Sequence, residues 1–273
     1  MKYSKEHSFV RSLTKNLIGK VSSDFGSIVA TKEKSGHADI VTDQDLRLDR
    51  FIIRKIKKNF PKDVIVTEES SAKLLPRAQQ GERSWIVDPL CGSFNYARAL
   101  PIFNTNIILA ENGKVVAAWV VDYPLKRLLW STGDGTYVNN KKLKRLRHPK
   151  GIWIIELDNN GYTKQLSNNA QRKFADVARD VILRKDILFR GFNSSLVFAY
   201  VATGQVQGNI IMRVEPWDQI AEAFLITQNG GIATHFDGTP WDLSSRSLVM
   251  AQSKKIHSSL LAIIRKHKLT KHR

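Results

Sequence analysis

Residues 85–103, with the sequence WIVDPLCGSFNYARALPIF, constrain the fold more than any other part of the chain. The opening run of bulky apolar residues is what a buried strand requires. Asp88 places a carboxylate at the end of that strand, and Pro89 cannot continue ladder pairing. Gly92 and Ser93 then favour a tight turn that aims backbone N–H groups at an anion. A carboxylate, an exposed carbonyl and an anion cradle so close together indicate a metal site that holds a phosphate.

This stretch resembles the signature of the inositol monophosphatase family, whose members are Mg²⁺-dependent, Li⁺-sensitive sugar phosphatases. The signature reads roughly W-I-[IV]-D-P-[IL]-D-G-T-x-N-[FY], with P-x-F a few residues later. The matching positions are Asp88, Pro89, Leu90, Gly92, Asn95, Tyr96, Pro101 and Phe103. Ser93 replaces Thr conservatively. The sharp departure is Cys91, which stands where the signature has its second Asp.

Three further segments resemble the same family. Residues 214–231 are similar to a second signature, W-D-x-A-A-G-x-x-[IL]-[IV]-x-x-A-G-G, through Trp217, Asp218, Ala221 and the pair Gly230-Gly231. A K-x-x-x-x-D and V-T-x-x-D element is matched by Lys34, Asp39, Val41, Thr42 and Asp45, and the family's G-E-E-S by Glu68, Glu69 and Ser70. The resemblance extends over about residues 5–265, which makes a chance match very improbable.

The resemblance implies two metal sites that share one carboxylate. The first takes Glu68, Asp88 and the carbonyl oxygen of Leu90. The second takes Asp88, Asp218 and the residue at position 91. Taken alone, a Glu-Glu pair is usually a solvated loop, and an acid in the first turn of a helix is usually an N-cap favoured by the helix dipole. The position of each acid within the signatures favours the metal-ligand interpretation.

The resemblance also assigns catalytic roles. Glu68 and Ser93 position the attacking water, Asp45 hydrogen-bonds the hydroxyl of Ser93, and Lys34 lies near a third, weakly held metal. Without the resemblance, Lys34 is equally well a solvated loop lysine. Asp45 alone is equally well a first-turn helix acid.

The predicted substrate site begins with the backbone N–H groups of Gly92 and Ser93, which would hold the phosphate. Asn193 and Ser194 belong to a segment that loosely matches the family's R-x-x-G-S, with Asn193 at the expected Gly. Members that take inositol phosphate commonly carry a Glu where this chain has Ile211. Because an apolar side chain cannot bind a polyol hydroxyl, Ile211 argues against inositol monophosphate itself. Another sugar phosphate or a nucleotide, including a 3′-phosphoadenosine nucleotide, is the alternative.

Cys91 alters the second metal site. Mg²⁺ prefers hard oxygen ligands, and a thiol is a poor substitute. Three outcomes follow: water fills the gap in a less active Mg²⁺ enzyme, Mn²⁺ or Zn²⁺ is preferred, or the site is inactive and the fold serves another purpose. A small buried Cys without any ligand role is the purely structural alternative.

The net charge of the chain indicates which kinds of partner it can bind. The 273 residues include 43 Lys and Arg against 25 Asp and Glu, a formal net charge of +18. This excess indicates either a solvated basic surface or contact with RNA or a ribonucleoprotein. The basic runs are Arg54–Lys58, Lys141–Lys150 and Lys254–Arg273, and none is interleaved with aromatic residues in the sequence.

Other features of the composition concern location. The single Cys excludes an intramolecular disulfide and fits a reducing cytoplasm. No apolar run is long enough to span a membrane, and the first residues lack the apolar core of a signal peptide.

The fold implied by the resemblance is an α/β protein, an alternating α-β-α-β-α sandwich. Residues 1–145 are predicted to form an α+β subdomain with a meander-like sheet, and residues 146–273 an α/β subdomain that carries the Trp-Asp motif; together they make one catalytic unit. Residues 31–45 are expected to be a mobile loop, and residues 71–83 a polar connection.

The sequence therefore predicts a cytoplasmic phosphoric monoester hydrolase with an altered second metal site. It would act on a small phosphorylated metabolite with Mg²⁺, and by resemblance it would be a homodimer. The alternative is a catalytically impaired member of the family that binds RNA or protein.

Overall fold

The computed structural model describes residues 2–27, 31–36, 39–144, 147, 150–158, 167–212 and 215–269. The helices are α1 (Ser4–Asp24), α2 (Asp43–Asn59), α3 (Leu75–Gln79), α4 (Ser93–Ala97), α5 (Asn168–Ile182), α6 (Ser195–Thr203), α7 (Pro216–Gln228) and α8 (Lys254–Lys266). The strands are β1 (Thr31–Gly36), β2 (Asp39–Thr42), β3 (Val64–Thr67), β4 (Ser84–Cys91), β5 (Asn104–Glu111), β6 (Lys114–Asp122), β7 (Arg127–Ser131), β8 (Tyr137–Val138), β9 (Lys141–Lys142), β10 (Trp153–Asp158), β11 (Ile187–Arg190), β12 (Gly208–Ile211), β13 (Ile232–Thr234) and β14 (Leu248–Ala251).

The larger sheet has seven strands, β3 to β9, in the order of the chain. β3 pairs with β4 in parallel, and each later strand pairs antiparallel with the one before it. The turn between β5 and β6 is made by Asn112 and Gly113, which both have positive φ, 52° and 71°. Asn-Gly is the residue pair that tight hairpins favour, so the predicted meander is confirmed in this part of the sheet.

Strand β4 lies between the edge strand β3 and β5 in this sheet and ends at the polar turn. Its side chains alternate: Ile86 packs into the core cluster on one face, and Trp85 and Val87 pack into the cluster on the other. Pairing with β5 is regular up to Asp88 and then shifts register before Cys91. The irregularity places Cys91 one residue out of the register that Asp88 and the residues before it follow.

Three apolar clusters join the helices and the two sheets into five layers. One cluster joins α1 and α2 to the first face of the larger sheet. The second places α6 and α7 between the larger sheet and the five-stranded sheet, whose order is β11-β10-β12-β14-β13. The third joins α5 and α8 to the outer face of that second sheet. The predicted α-β-α-β-α sandwich is confirmed.

One local prediction was wrong: strands β1 and β2 form an antiparallel hairpin where a mobile loop was expected. The polar connection predicted at residues 71–83 contains a 3₁₀ turn at Ala72–Leu74 and helix α3. Residues 37–38, 145–146 and 148–149 lie outside the described residues, and so does the predicted boundary between the two subdomains at residues 145 and 146. No helix in the described ranges is long and apolar enough to cross a membrane.

Candidate active site

The turn after β4 sets the geometry of the site. Asp88 Oδ1 accepts a hydrogen bond from the Leu90 backbone N–H at 3.0 Å, which folds the chain back on itself. Gly92 follows with φ 92°, and a Cβ atom there would lie 2.8 Å from the carbonyl oxygen of Ile102. Both the left-handed backbone and this close approach require glycine. The turn therefore holds the backbone next to Asp88 in one conformation.

Ser93, directly after that glycine, forms the predicted hydrogen bond with Asp45. Ser93 Oγ donates to Asp45 Oδ1 at 2.5 Å and lies 2.9 Å from the Leu90 carbonyl oxygen. Asp45 is held in place by the N-terminal capping box of α2, because its Oδ2 accepts the Thr42 backbone N–H at 2.7 Å. Burial raises the pKa of Asp45 to about 6, against the lowering effect of its hydrogen bonds. At the turn, a serine hydroxyl is thus hydrogen-bonded to a carboxyl group whose pKa is close to neutral pH.

Glu68 lies at the C-terminal end of β3, beside β4, and is bound by a lysine. Lys34 Nζ on β1 is 2.7 Å from Glu68 Oε1 and 2.5 Å from Glu69 Oε1. Burial raises the pKa of Glu69 to about 7, and the charge of Glu68 adds to the rise. Burial of Lys34 lowers its pKa, but the two glutamates outweigh that effect and raise it. The ammonium group therefore neutralises part of the acidic charge at this end of the sheet.

Three predicted ligands of the second metal site come together. One ligand atom from each of Asp88, Cys91 and Asp218 lies within 4.8 Å of the others. Asp218 reaches this point from the first turn of α7, where its Oδ2 accepts the Glu215 backbone N–H at 2.9 Å. Asp88 and Asp218 are almost fully buried. The N-terminus of α7 thus delivers its acid to the end of β4.

The electrostatics of this group are those of a cation site. Burial raises the pKa of Asp88 well above its ordinary value, and the charges of Glu68 and Asp218 raise it further. Burial, followed by the charge of Glu68, has the same effect on Asp218. Burial also raises the pKa of the Cys91 thiol. A divalent cation removes both the repulsion and the cost of burying these charges, so the donor set fits such an ion.

The two donor sets differ in softness. Glu68, Asp88 and the Leu90 carbonyl offer only oxygen atoms, which Mg²⁺ prefers. The set that contains Cys91 combines two carboxylates with a sulfur atom, and sulfur favours softer ions.

The predicted substrate segment lies against the same turn. Asn193 has φ 51°, a left-handed conformation that Asn tolerates and that explains its presence where the family has Gly. Ser194 caps the N-terminus of α6, and its Oγ lies 3.2 Å from where a Cβ on Gly92 would be. Asn95 ties the two segments together, because its Nδ2 donates to the carbonyls of Ile102 at 3.0 Å and Phe192 at 2.9 Å.

Ile211 does not belong to this surface. Its side chain is 0% exposed and packs in the apolar cluster between the two sheets. The prediction that Ile211 lines the substrate site is therefore wrong, because a side chain on the covered face of β12 has no surface to offer a ligand.

A buried polar group behind Cys91 was missed by the sequence reasoning. It consists of Asn104 and Asn106 on β5, Ser195 on α6 and Glu222 on α7. A signal for Glu222 was present, since the second signature, W-D-x-A-A-G, has Gly at this position. The asparagines carried no recognisable pattern.

Comparisons with known proteins identify relatives of this chain and agree with its fold. A family profile described as "Inositol monophosphatase family" matches residues 6–269. The fructose-1,6-bisphosphatase/inositol-1-monophosphatase of Thermotoga maritima is 26% identical over 241 residues, covering 88% of each chain. The Nus factor SuhB of Escherichia coli is 29% identical over 227 residues, covering 82% of this chain and 81% of the relative. A crystal structure of an IMPase/NADP phosphatase complexed with Mg²⁺ and phosphate superimposes with a TM-score of 0.80 at 22% identity and covers 96% of each chain.

Proposed function

The chain belongs to the inositol monophosphatase family, and on that premise we propose that it is a phosphatase that hydrolyses a small phosphate monoester with the aid of divalent cations. One observation carries the proposal. The ligand atoms of Asp88, Cys91 and Asp218 converge within 4.8 Å, and the Ser93–Asp45 hydrogen bond begins two residues after Cys91. A cation-binding group and a proton-transfer pair thus share one turn of the chain.

The cations would be held by two overlapping sets of residues. Glu68, Asp88 and the Leu90 carbonyl are proposed to hold Mg²⁺, and Asp88, Cys91 and Asp218 a second divalent cation, for which Mn²⁺ or Zn²⁺ suits the thiol better than Mg²⁺ does. Such ions supply charge neutralisation at phosphate oxygens and lower the pKa of an attacking water. Lys34, which lies against Glu68, must share that carboxylate when the first set binds its ion.

Ser93 and Asp45 are proposed to move the proton of the attacking water. With a pKa of about 6, Asp45 is mostly ionised at neutral pH and accepts the proton of Ser93 Oγ. Ser93 Oγ is then free to accept a proton from water, so one proton passes along the pair. Glu68 completes the group that orients the water, as the resemblance implies.

Phosphate recognition is assigned to the turn and the segment beside it. The absence of a side chain at Gly92 lets a ligand approach the backbone, and Asn193 and Ser194 border the same turn. The net charge of +18 attracts anionic substrates in general. The expected substrates are small sugar, inositol or nucleotide phosphates.

A screen of cations against substrates tests this function. The purified chain is assayed with Mg²⁺, Mn²⁺ and Zn²⁺ against inositol monophosphates, sugar phosphates and 3′-phosphoadenosine nucleotides. At least one combination is expected to give turnover that Ser93→Ala lowers by about a hundredfold, a typical loss for a proton-transfer group. Ser23→Ala, a matched change on the exposed side of α1, serves as the control. Absence of turnover in every combination contradicts the proposal.

Nucleic-acid binding is a second candidate function, favoured by one surface feature. Three cations from two helices surround the ring of Phe51: Lys20 Nζ at 4.9 Å, Lys55 Nζ at 5.4 Å and the Arg54 guanidinium carbon at 5.9 Å from the ring centre. The sequence runs showed no aromatic residue among the cations, because Lys20 joins the group only in the fold. Cations grouped around an aromatic ring form a surface on which single-stranded RNA can bind. Residues 145–146, 148–149 and 270–273 of the predicted basic runs lie outside the described residues.

Salt dependence tests this second candidate. If the surface binds RNA, replacing Lys20, Arg54 and Lys55 by Gln should weaken binding and reduce the slope of log affinity against log salt by about 2 to 3. The matched control replaces three cations that are already paired with acids, namely Arg77, Arg179 and Lys266. Equal losses in both triple variants indicate a general charge effect and contradict a defined surface. No binding at low salt removes this candidate.

A homodimer and a cytoplasmic location complete the proposal. The dimer is supported by apolar residues exposed along β11, the edge strand of the second sheet within the described ranges, and just before it. Leu183, Leu188 and Phe189 are 72%, 44% and 37% exposed. Sedimentation of the wild type and of Leu188→Lys tests the association.

A further inference from the structure

Glu222 is a buried acid that the proposed mechanism does not use. It follows Asp218 by four residues on α7, which places both side chains on the same face of the helix. Its side chain is 0% exposed, and neither carboxyl oxygen has a hydrogen-bond partner among the residues that the structure describes. An unpartnered carboxyl group in the interior is costly, so its presence needs a cause.

The donors of the polar neighbours of Glu222 are directed to other acceptors. Ser195 and Asn106 lie beside its carboxyl group. Both N–H bonds of Asn106 Nδ2 are used, one toward Ser195 Oγ and one toward the Trp217 carbonyl, each at 3.0 Å. The Ser195 hydroxyl donates to Asn104 Oδ1 at 3.1 Å. The carboxyl group therefore lies against a network whose donors are used by other acceptors.

The same network reaches the altered metal ligand. The Ser195 backbone N–H donates to Cys91 Sγ at 3.4 Å, so one residue contacts the cysteine through its backbone and lies beside Glu222 with its side chain. The charge of Glu222 also acts directly on Asp218. Glu222 is thus linked to Cys91 through Ser195 and lies close enough to Asp218 for its charge to act on that carboxyl group.

The sequence shows two linked departures at this place. Relative to the two signatures, the chain lacks an acid at Cys91 and gains one at Glu222, where Gly is expected. In the structure both positions adjoin Ser195. The number of acidic side chains around the second set is therefore unchanged, although one of them comes from a different element.

We propose that Glu222 is an acid of the second cation site, and that it supplies beside Asp218 the negative charge that a thiol at position 91 does not provide. The inference rests on the proposed cation-dependent function and concerns charge at the site. A purely structural role is poorly served by this residue, because an apolar or amide side chain would fill the space without burying an unpaired acid.

Cation binding tests the inference without relying on turnover. Mn²⁺ and Mg²⁺ are titrated calorimetrically into the wild type and into Glu222→Gln, which keeps the shape and removes the charge. The weaker of two cation-binding events is expected to lose at least about tenfold in affinity, or about 1.4 kcal/mol. Glu156→Gln is the matched control, because Glu156 is equally buried with one unpartnered oxygen, but its nearest acid is Asp158. Its cation affinities should equal those of the wild type.

A second background separates charge at the site from a general effect of the substitution. In Cys91→Asp the missing charge is restored, so adding Glu222→Gln should cost less than about threefold in affinity. Equal losses in the two backgrounds overturn the proposal, as does a folded Glu222→Gln that binds cations as tightly as the wild type, or a wild type that binds no cation. If Glu222→Gln does not fold, Glu222→Gly replaces it.

Turnover distinguishes this inference from the function on which it rests. If cation affinity depends on Glu222 but the protein hydrolyses no phosphate monoester, the proposed role of Glu222 stands and the proposed function is wrong. If the protein is active and Glu222→Gln does not change its cation affinity, the proposed function stands and the proposed role of Glu222 is wrong.

Discussion

The Ser195 backbone N–H donates to the Sγ atom of Cys91 at 3.4 Å, from the first turn of α6. The side chain of Cys91 is therefore directed toward the carboxylates of Asp88 and Asp218 and toward the network that contains Glu222. A carboxylate at this position would keep the N–H donor, since it accepts hydrogen bonds better than a thiol does. Position 91 thus faces the site, so the residue there should determine which divalent cation the protein binds most tightly.

Cys91→Asp is expected to change which cation is preferred. The substitution replaces a soft sulfur by a hard anionic oxygen, so affinity for Mg²⁺ should rise relative to Mn²⁺ by at least about tenfold. Mg²⁺-dependent hydrolysis of a small sugar phosphate should rise by about the same factor, or about 1.4 kcal/mol of transition-state stabilisation. Calorimetric titration and rate measurements against metal concentration give the two values. Cys91→Ser, which removes the sulfur without adding charge, is the control. An unchanged preference in Cys91→Asp contradicts the assignment of Cys91 to the site.

Asp88→Asn should stabilise the cation-free protein and abolish its response to cations. Because burial and neighbouring acids raise the pKa of Asp88, its ionised form is costly in the folded state at neutral pH. Removing that charge should raise the free energy of unfolding by about 1 kcal/mol. The same change removes the carboxylate common to both proposed donor sets, so the increase in Tm on adding Mg²⁺ or Mn²⁺ should disappear. Activity should fall more than for any other single change at the site.

Asp122→Asn is expected to change stability and the response to cations in the opposite way to Asp88→Asn. Asp122 is also fully buried, but its charge is matched by Arg127, whose Nε lies 2.7 Å from its Oδ2. Breaking this pair should lower stability by about 3 kcal/mol and leave the cation-induced rise in Tm intact. Thermal unfolding of both variants, with and without cation, makes the comparison. A lower Tm for cation-free Asp88→Asn would contradict the charge repulsion inferred at the site.

Elements with regular apolar spacing could be predicted from the sequence. Leu48, Ile52 and Ile56 recur at helical intervals in α2, and all three are buried as expected. The β1–β2 hairpin was missed because its first strand, TKEKSG, is polar, so only pairing with β2 identifies it. β11 was missed because Leu188 and Phe189 are both exposed on an edge strand and give no alternation.

The sequence predicted the site residues that belong to recognisable motifs, but not the side chains that reach the site through the packing of helices and sheets. The Asp45–Ser93 hydrogen bond is present as expected, because both residues belong to recognisable elements. The error at Ile211 and the omission of Glu222 share a cause. Which side chains of β12 and α7 face the site depends on how α6 and α7 pack between the two sheets, and local sequence does not determine that packing.

Activity should rise with pH through the ionisation of Asp45. A proton acceptor must be unprotonated, and burial raises its pKa to about 6, so log kcat/KM should rise with a slope of about 1 up to that pH. The positive charge of bound cations lowers the midpoint, which places the rise at or below pH 6. Asp45→Asn should remove the rise and lower kcat/KM by about a hundredfold. Ser93→Thr, which keeps the hydroxyl, should retain the profile. A midpoint far above 7, or one that persists in Asp45→Asn, contradicts the proposed proton transfer.

His7 should make stability depend on pH at a distance from the site. Its Nδ1 accepts the Trp119 indole N–H at 3.3 Å, and its ring packs against Trp130 at a tilt of 34°, so the buried ring is neutral. Burial, with a contribution from Arg11, lowers the pKa of His7 to about 4 from 6.5. Between these values the unfolded chain binds the extra proton, so stability falls as pH drops from about 6.5 and levels off near 4, by on the order of 3 kcal/mol. Urea unfolding at several pH values should show this loss in the wild type and not in His7→Gln, which keeps an acceptor without titrating. Parallel curves would contradict a neutral buried His7.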